Sequence, residues 1–285
     1  MELNMHKSVT LAKEVSIRGI GLHSGIGAEV VLRPHIGALP GVMLRRGDVS
    51  HGEFHLHPSM VKRSPLCTLL ENEHGVNVST VEHLLSALHG LRVDSVVIEI
   101  NGPEVPILDG SALPWVELID SVGRVELELQ RNWLDVASPQ VEDSEGRVLL
   151  ANPEPRKGLR VECVVDFPHP AIGRQEWKGV VDEETYRREI APARTFVLER
   201  DIAAAQAAGL AKGGSLENAV VFGDDGSVKN PGGLRFADEP VRHKVLDVVG
   251  DLYMAGRPVS GIFHMTAPGH VANNLLLRKV LNGAG

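Results

Sequence analysis

The 285-residue sequence predicts an α+β fold of two units, each a sheet with helices packed on one face. Three observations carry that expectation. Short segments alternating apolar and polar residues fill the first third and return in the middle of the chain. Helical patterns with recognisable stop signals lie between and after them. The order helix, glycine, strand, loop, helix also occurs twice, over 79–123 and over 239–282, although residue identity between the copies is too low for a sequence repeat. A site at the seam between two such units is the default expectation.

In chain order, "SVTLAKEVSI" and "AEVVLRP" alternate as strands, and "GVMLRR" ends another near Arg46. The helix "STVEHLLSALHGL" places Leu84, Leu85 and Leu88 on one face, with Gly90 positioned to stop it. The strand "DSVVIEI", the Gly/Pro-rich connection "NGPEVPILDGSA" and the helix "LPWVELIDSVG" complete a first unit over 1–128. The second unit, 129–285, opens with the strands "RVLLANP" and "GLRVECVVDF", the latter alternating through Val161, Cys163 and Val165. "DEETYRREI" reads as a short helix capped by Asp182, and "ERDIAAAQAAGL" as an alanine-rich one ended by Gly209. A long helix is expected over 239–255, with Asp238 as N-cap, Pro240 in the first turn and Gly256 past the end. The strand "PVSGIFHMT" and the helix "HVANNLLLRKVL" finish the chain.

Composition narrows the function classes. A formal charge of −8 with no local basic patch argues against a nucleic-acid partner. Two distant cysteines, Cys67 and Cys163, make neither a disulfide framework nor a thiolate zinc cluster, and they fit a reducing cytosol. The N-terminus has no long apolar run, so no signal peptide is expected. No stretch approaches ~18 uninterrupted apolar residues, so no transmembrane segment is expected either.

Within "PVRHKVLDVVGDLY", His243 and Asp247 stand four apart and reach the same side of a helix. Such a pair occurs by chance on solvated faces too. Glu82 and His83, side by side in the first unit, also admit two readings. Ser79 with Glu82 matches the S-x-x-E capping box, which would occupy the glutamate with backbone N–H groups. Alternatively, His83 joins His243 and Asp247, and two imidazoles and a carboxylate leave the fourth position of a tetrahedral zinc open, as catalytic zinc requires. Glu82 would then act as base. No H-E-x-x-H motif is present, so any such site draws on two distant helices. An amide hydrolase further needs an oxyanion donor and an acid for the leaving group. Thr195 in "PARTFV", His270 in "APGH", Asp251 one turn beyond Asp247, and Lys244 are candidates. Each alone reads more readily as an ordinary strand, cap or helix residue, and only their joint occurrence favours the chemistry.

Together, "GIGLHSG", "STVEHLLSALHGL", "PILDGSA", "ARTF", "GLAKGGS", "GLRFADEPVRHKVLDVVGDLY" and "GHVANN" resemble, in this order, the UDP-3-O-acyl-N-acetylglucosamine deacetylases, from about residue 8 to 282. The resemblance implies two two-layer α/β sandwich domains of similar topology with the active site at their interface. It implies a cytoplasmic zinc amidase that removes acetate from an acylated UDP-sugar, the committed step of lipid A synthesis in Gram-negative bacteria. Its ligands would be His83, His243 and Asp247, with one Zn2+ (or Fe2+, which the same ligands accept). Glu82 would be the general base, His270 the acid or electrostatic stabiliser, Asp251 its orienting partner, Thr195 the oxyanion donor and Lys244 a substrate-contacting charge. Phe167 would stack on uracil, with Phe196 also touching substrate. The insert at about 197–222 would form an acyl tunnel lined by Ile202, Ala211, Leu216 and Val221. Val197 and the glycine-rich turn in "NPGGLRF" depart from the pattern near that tunnel, which leaves acyl length open. A monomer is expected. Two other readings stay open: a silent module that binds an acylated nucleotide, and a zinc deacetylase for a sugar without the nucleotide.

Overall fold

The computed structural model describes residues 6–283, apart from 36, 38–40 and 145. The first half runs β1 (Lys7–Leu11), β2 (Val15–Ile20), β3 (Gly27–Pro34), β4 (Val42–Arg46), β5 (Glu53–His55), β6 (Val61–Lys62), β7 (Leu69–Glu71), β8 (Asn77–Ser79), α1 (Glu82–Gly90), β9 (Val96–Ile100), α2 (Leu113–Val122) and β10 (Arg124–Gln130). The second runs β11 (Leu134–Asp135), β12 (Gln140–Ser144), β13 (Arg147–Asn152), β14 (Leu159–Phe167), β15 (Gly173–Val180), α3 (Glu183–Thr185, continuing as a π-turn through Ile190), β16 (Phe196–Leu198), α4 (Glu199–Ala207), β17 (Val220–Phe222), α5 (Glu239–Leu252), β18 (Val259–Thr266) and α6 (His270–Gly283).

Two sheets of the same design result. One has the order β2-β3-β9-β4-β5, the other β12-β13-β18-β14-β15. In each, the strand between the two repeated helices is central. It is antiparallel to one neighbour (β3 or β13) and parallel to the other (β4 or β14). The twice-occurring order read from the sequence is therefore α1-β9-α2 and α5-β18-α6. β10 pairs with β1 as far as Gln130, so the expected boundary at 128 falls inside a strand of the first half.

The helices lie between the sheets. α5 packs on α1 and on β14 and β15, while α6 covers β12 and β13. Leu84, Leu85 and Leu88 of α1 share one continuous apolar core with Val245, Leu246 and Val249 of α5. Every residue of α1 is buried: the helix packs on α5 and α2, and its leucines share the core with inward-facing strand residues such as Leu32 and Leu44. Gly250 permits that approach: a Cβ there would overlap the Glu82 carbonyl oxygen. Val161, Cys163 and Val165 all face inward on β14, as their alternation predicts.

Several local expectations are revised. "SVTLAKEVSI" is two strands, β1 and β2, which break at Ala12–Glu14 and join different sheets. The capping box at Ser79 does not form. Thr80 is left-handed (φ +58°), Val81 holds the N-cap position, and no side chain caps α1. Gly90 is the last residue of α1 rather than its terminator, and its missing side chain makes room for the Tyr186 ring. Asp238 occupies the N-cap position of α5, but its carboxylate accepts from Arg242 Nε (2.7 Å) instead of from the backbone. Asp182 does cap α3, accepting from the Thr185 N–H at 2.8 Å. α5 ends at Leu252 and tightens into a single turn over Tyr253–Ala255, closed by left-handed Gly256 (φ +68°). Among the described residues, no helix is long and apolar enough to cross a membrane.

Candidate active site

Contact between α1 and α5 brings the three expected metal-capable side chains together. His83 comes from the first turn of α1, and His243 and Asp247 from one face of α5. Ligand atoms of all three lie within 4.8 Å of one another, and all three residues are buried. Asp247 Oδ1 is 3.4 Å from His243 Nε2 and 3.8 Å from His83 Nε2. Ligands about 2.0–2.1 Å from one tetrahedral ion sit about 3.3–3.4 Å apart, so this spacing suits a shared cation better than direct hydrogen bonding. Asp247 Oδ1 has no hydrogen-bond partner, although it is buried, and a divalent ion would satisfy it. The His243 tautomer is fixed: Nδ1 lies 3.0 Å from the Ala193 carbonyl, which can only accept, so Nδ1 carries the proton and Nε2 keeps its lone pair for a ligand. The donor set fits a divalent metal.

Electrostatics agree. Burial lowers the His83 imidazole pKa to about 3, with neighbouring His243 adding to the effect, so it is neutral at ordinary pH. Burial works against ionised Asp247, but Lys244 and the surrounding imidazoles outweigh it and hold the carboxyl well below its usual range. Lys244 Nζ donates to Asp247 Oδ2 at 2.8 Å. Lys244 therefore touches Asp247 directly, and its Nζ also lies 5.7 Å from the centre of the Phe196 ring.

Glu82 and His270 face each other beside the ligands, with Oε1 3.8 Å from Nε2. Burial, reinforced by Asp251 and Asp247 against the pull of His270, raises the Glu82 pKa to about 8. Burial alone would discharge His270, but the charge and hydrogen bond of Asp251, with Glu82, lift its pKa to about 10. Asp251 Oδ2 accepts from His270 Nδ1 at 2.9 Å, as an orienting partner should. The arrangement places a carboxylate able to take a proton opposite an imidazolium able to stabilise or donate one.

The remaining expected residues gather in the second half. Thr195, Phe196, Ile202, Ala211, Leu216 and Val221 all line one cavity of about 460 Å³, which Leu22, His23 and Leu66 complete from the first half. β16 and β17 form its floor as a parallel pair with Val197 opposite Val221. The Phe196 ring stands edge-on to His243 with centroids 6.3 Å apart, so the cavity begins beside the ligand cluster. Phe167 does not line it. Phe167 sits at the end of β14, edge-on to Phe196 with centroids 5.3 Å apart.

Sequence reasoning missed three contributors. Thr68 hydrogen-bonds both Glu82 and Asp251, a contact spanning 183 positions that no local pattern announces. Asn273 donates to Asp251 Oδ2 at 2.8 Å; it is one helical turn past His270, so i,i+3 spacing could have found it. Buried Glu104 accepts from the His23 and Ser24 N–H groups (2.8 and 2.7 Å) and from Thr80 Oγ1 (2.9 Å), fixing the β2–β3 turn against the cavity.

Comparison with known proteins agrees with this geometry. The family model UDP-3-O-acyl N-acetylglycosamine deacetylase (LpxC) matches residues 8–282. The chain is 42% identical over 283 residues to the UDP-3-O-acyl-N-acetylglucosamine deacetylase of Histophilus somni (97% of this chain, 90% of the relative). It is 43% identical over 281 residues to that of Pasteurella multocida, with the same coverage. It is 42% identical over 276 residues to that of Shewanella piezotolerans, covering 95% and 89%. With a buried His–His–Asp group able to hold a metal, an opposed carboxylate and imidazole, and a match along nearly its whole length, the chain belongs to the UDP-3-O-acyl N-acetylglycosamine deacetylase family.

Proposed function

We propose that this protein hydrolyses the acetamide of UDP-3-O-[(3R)-3-hydroxyacyl]-N-acetylglucosamine, releasing acetate and the free 2-amine for lipid A biosynthesis. The family is metal-dependent, and the chain carries a His–His–Asp group able to hold an ion. We take that ion to be Zn2+, held by His83, His243 and Asp247. When bound, it supplies a Lewis acid that polarises the acetamide carbonyl, acidifies water and favours the ionised form of Glu82.

The protein's own groups do the rest. Glu82 removes a proton from water as its oxygen attacks the acetamide carbon. The Thr195 hydroxyl donates to the oxyanion that develops on the carbonyl oxygen. His270, kept charged by Asp251, stabilises that charge and protonates the departing nitrogen as the C–N bond breaks. Lys244 offers a cation to the substrate beside Asp247. The cavity lined by Ile202, Ala211, Leu216 and Val221 takes the acyl chain, and Phe167 stacks on the uracil. The substrate thus spans two domains, divided just after β10, in a cytoplasmic monomer. One observation carries this reading: a buried His–His–Asp cluster has the opposed Glu82–His270 pair beside it and an apolar cavity that begins at Phe196, next to His243.

Acetate release from the acylated UDP-sugar, measured with and without a chelator and alongside elemental analysis, tests it. Release should require about one metal equivalent and return on adding Zn2+. Metal-loaded protein that releases no acetate would leave only a binding module. Phe167→Ala should raise KM for the nucleotide-bearing substrate and leave an acylated sugar without UDP unaffected.

A further inference from the structure

Thr68 lies just before β7, in the short sheet inserted between β5 and α1, and is 2% exposed. All of its polar groups are engaged. Its N–H donates to Glu82 Oε2 at 3.1 Å and its hydroxyl to Asp251 Oδ1 at 2.6 Å. Its carbonyl accepts the Thr80 N–H at 3.0 Å, which anchors the segment to the turn leading into α1. A carboxylate can only accept, so the hydroxyl proton points at Asp251. Asp251 Oδ2 is already shared by His270 Nδ1 (2.9 Å) and Asn273 Nδ2 (2.8 Å). Thr68 thus donates to the other oxygen, and its two donors hold Glu82 from α1 and Asp251 from α5 at once.

We propose that Thr68 is a positioning residue of the deacetylation reaction, its hydroxyl fixing the Asp251 carboxylate so that His270 faces Glu82 in register. This rests on the function proposed above. Without the hydroxyl, Asp251 Oδ1 is a buried acceptor short of a donor, and the carboxylate turns to seek another. The His270 ring is held through that carboxylate and turns with it. Supporting groups of this kind are worth roughly 10- to 100-fold in activity, because sub-ångström misplacement of a reacting group is costly.

The test compares Thr68→Val, which keeps the backbone donor and nearly the shape, with Thr68→Ser, which keeps the hydroxyl. Thr68→Ala is run alongside as a smaller side chain without a hydroxyl. Wild-type acetate release on metal-loaded protein is the control. If wild type is silent, the function reading fails and not this one. With active wild type, valine and alanine should each lower kcat about 10- to 100-fold, with KM within about twofold and metal content unchanged, and serine should restore most of the rate. In an Asp251→Ala background, the valine substitution should cost less than about twofold more, since the group it acts through is gone. Four results would each overturn the proposal: unchanged kcat in the valine and alanine variants, a loss confined to KM or metal content, failure of serine to restore, or the full loss recurring without Asp251.

Discussion

The two halves share one strand order and one helix–strand–helix core, yet they depart at the same point, between the last edge strand and the first helix. There the first half inserts β6, β7 and β8, and the second inserts α3, β16, α4 and β17. The first insert is small and polar in effect: through Thr68 it holds Glu82 and Asp251. The second is larger, and with small and aliphatic side chains it walls an apolar cavity. The common scaffold brings α1 against α5, and the inserts decide what can be done there. The side chains able to hold a metal are unequal too, one from the start of α1 and two from one face of α5. A repeated fold therefore gains chemistry where its repeats differ.

That asymmetry is broken most severely by removing a ligand from the half that supplies two. Asp247→Ala leaves two imidazoles on different helices, and each lost ligand weakens a three-ligand site steeply. Turnover should fall by about 10³-fold or more and bound metal should drop with it. Full metal content by elemental analysis in this variant would remove Asp247 from the ligand set. The next largest effect separates base from ligand on the other half. Glu82→Ala should keep metal and fold but lose on the order of 10²- to 10⁴-fold in kcat. Near-normal acetate release would show that the carboxylate opposite His270 does not take the proton.

Much of this was legible in the sequence, for identifiable reasons. His243 and Asp247 share a helix, so their i,i+4 spacing is a local signal, and the repeated helix–strand–helix order appears as β9 and β18 at the centres of two matching sheets. Glu82 was ambiguous because S-x-x-E fits a capping box. Only the left-handed Thr80, which moves the N-cap to Val81, takes Ser79 out of reach and frees the carboxylate for Thr68 and His270. Thr68 itself was illegible: "LCTLL" is an ordinary strand entry, and its partner lies on α5, in the other half of the chain. Local pattern carries helices, strands and pairs on one element. Contacts between the halves are fixed by packing such as the α1–α5 approach at Gly250, and no spacing rule encodes them.

A pH experiment sharpens the comparison at the seam. The fold raises His270 from its ordinary value near 6.5 to about 10 through Asp251. A raised pKa means that the protonated form is stabilised in the folded state. The contribution is therefore complete below about pH 6.5 and fades as pH climbs towards 10. The melting temperature of His270→Gln should lie several degrees below wild type near neutral pH, and the gap should close towards about pH 10. A gap that stays constant across this window would mean that Asp251 does not hold His270 charged.

The smallest effect concerns the second insert. Ile202 lines the cavity from α4, a helix with no fully buried residue, so trimming it should disturb the fold little. Ile202→Ala removes apolar wall from one side of a bound chain. Loss of contact equivalent to one or two methylenes costs about 1 kcal/mol, or about fivefold in KM. Because the cavity starts beside Phe196 and extends along α4, the penalty should fall on long acyl chains that reach Ile202 and spare short ones that end near Val197. kcat should be unchanged, since no group facing the ligand cluster moves. KM measured across a series of acyl lengths checks this. An increase of equal size at every length would mean that Ile202 supports the cavity's shape rather than contacting the chain, and the hydrocarbon would have to take another path.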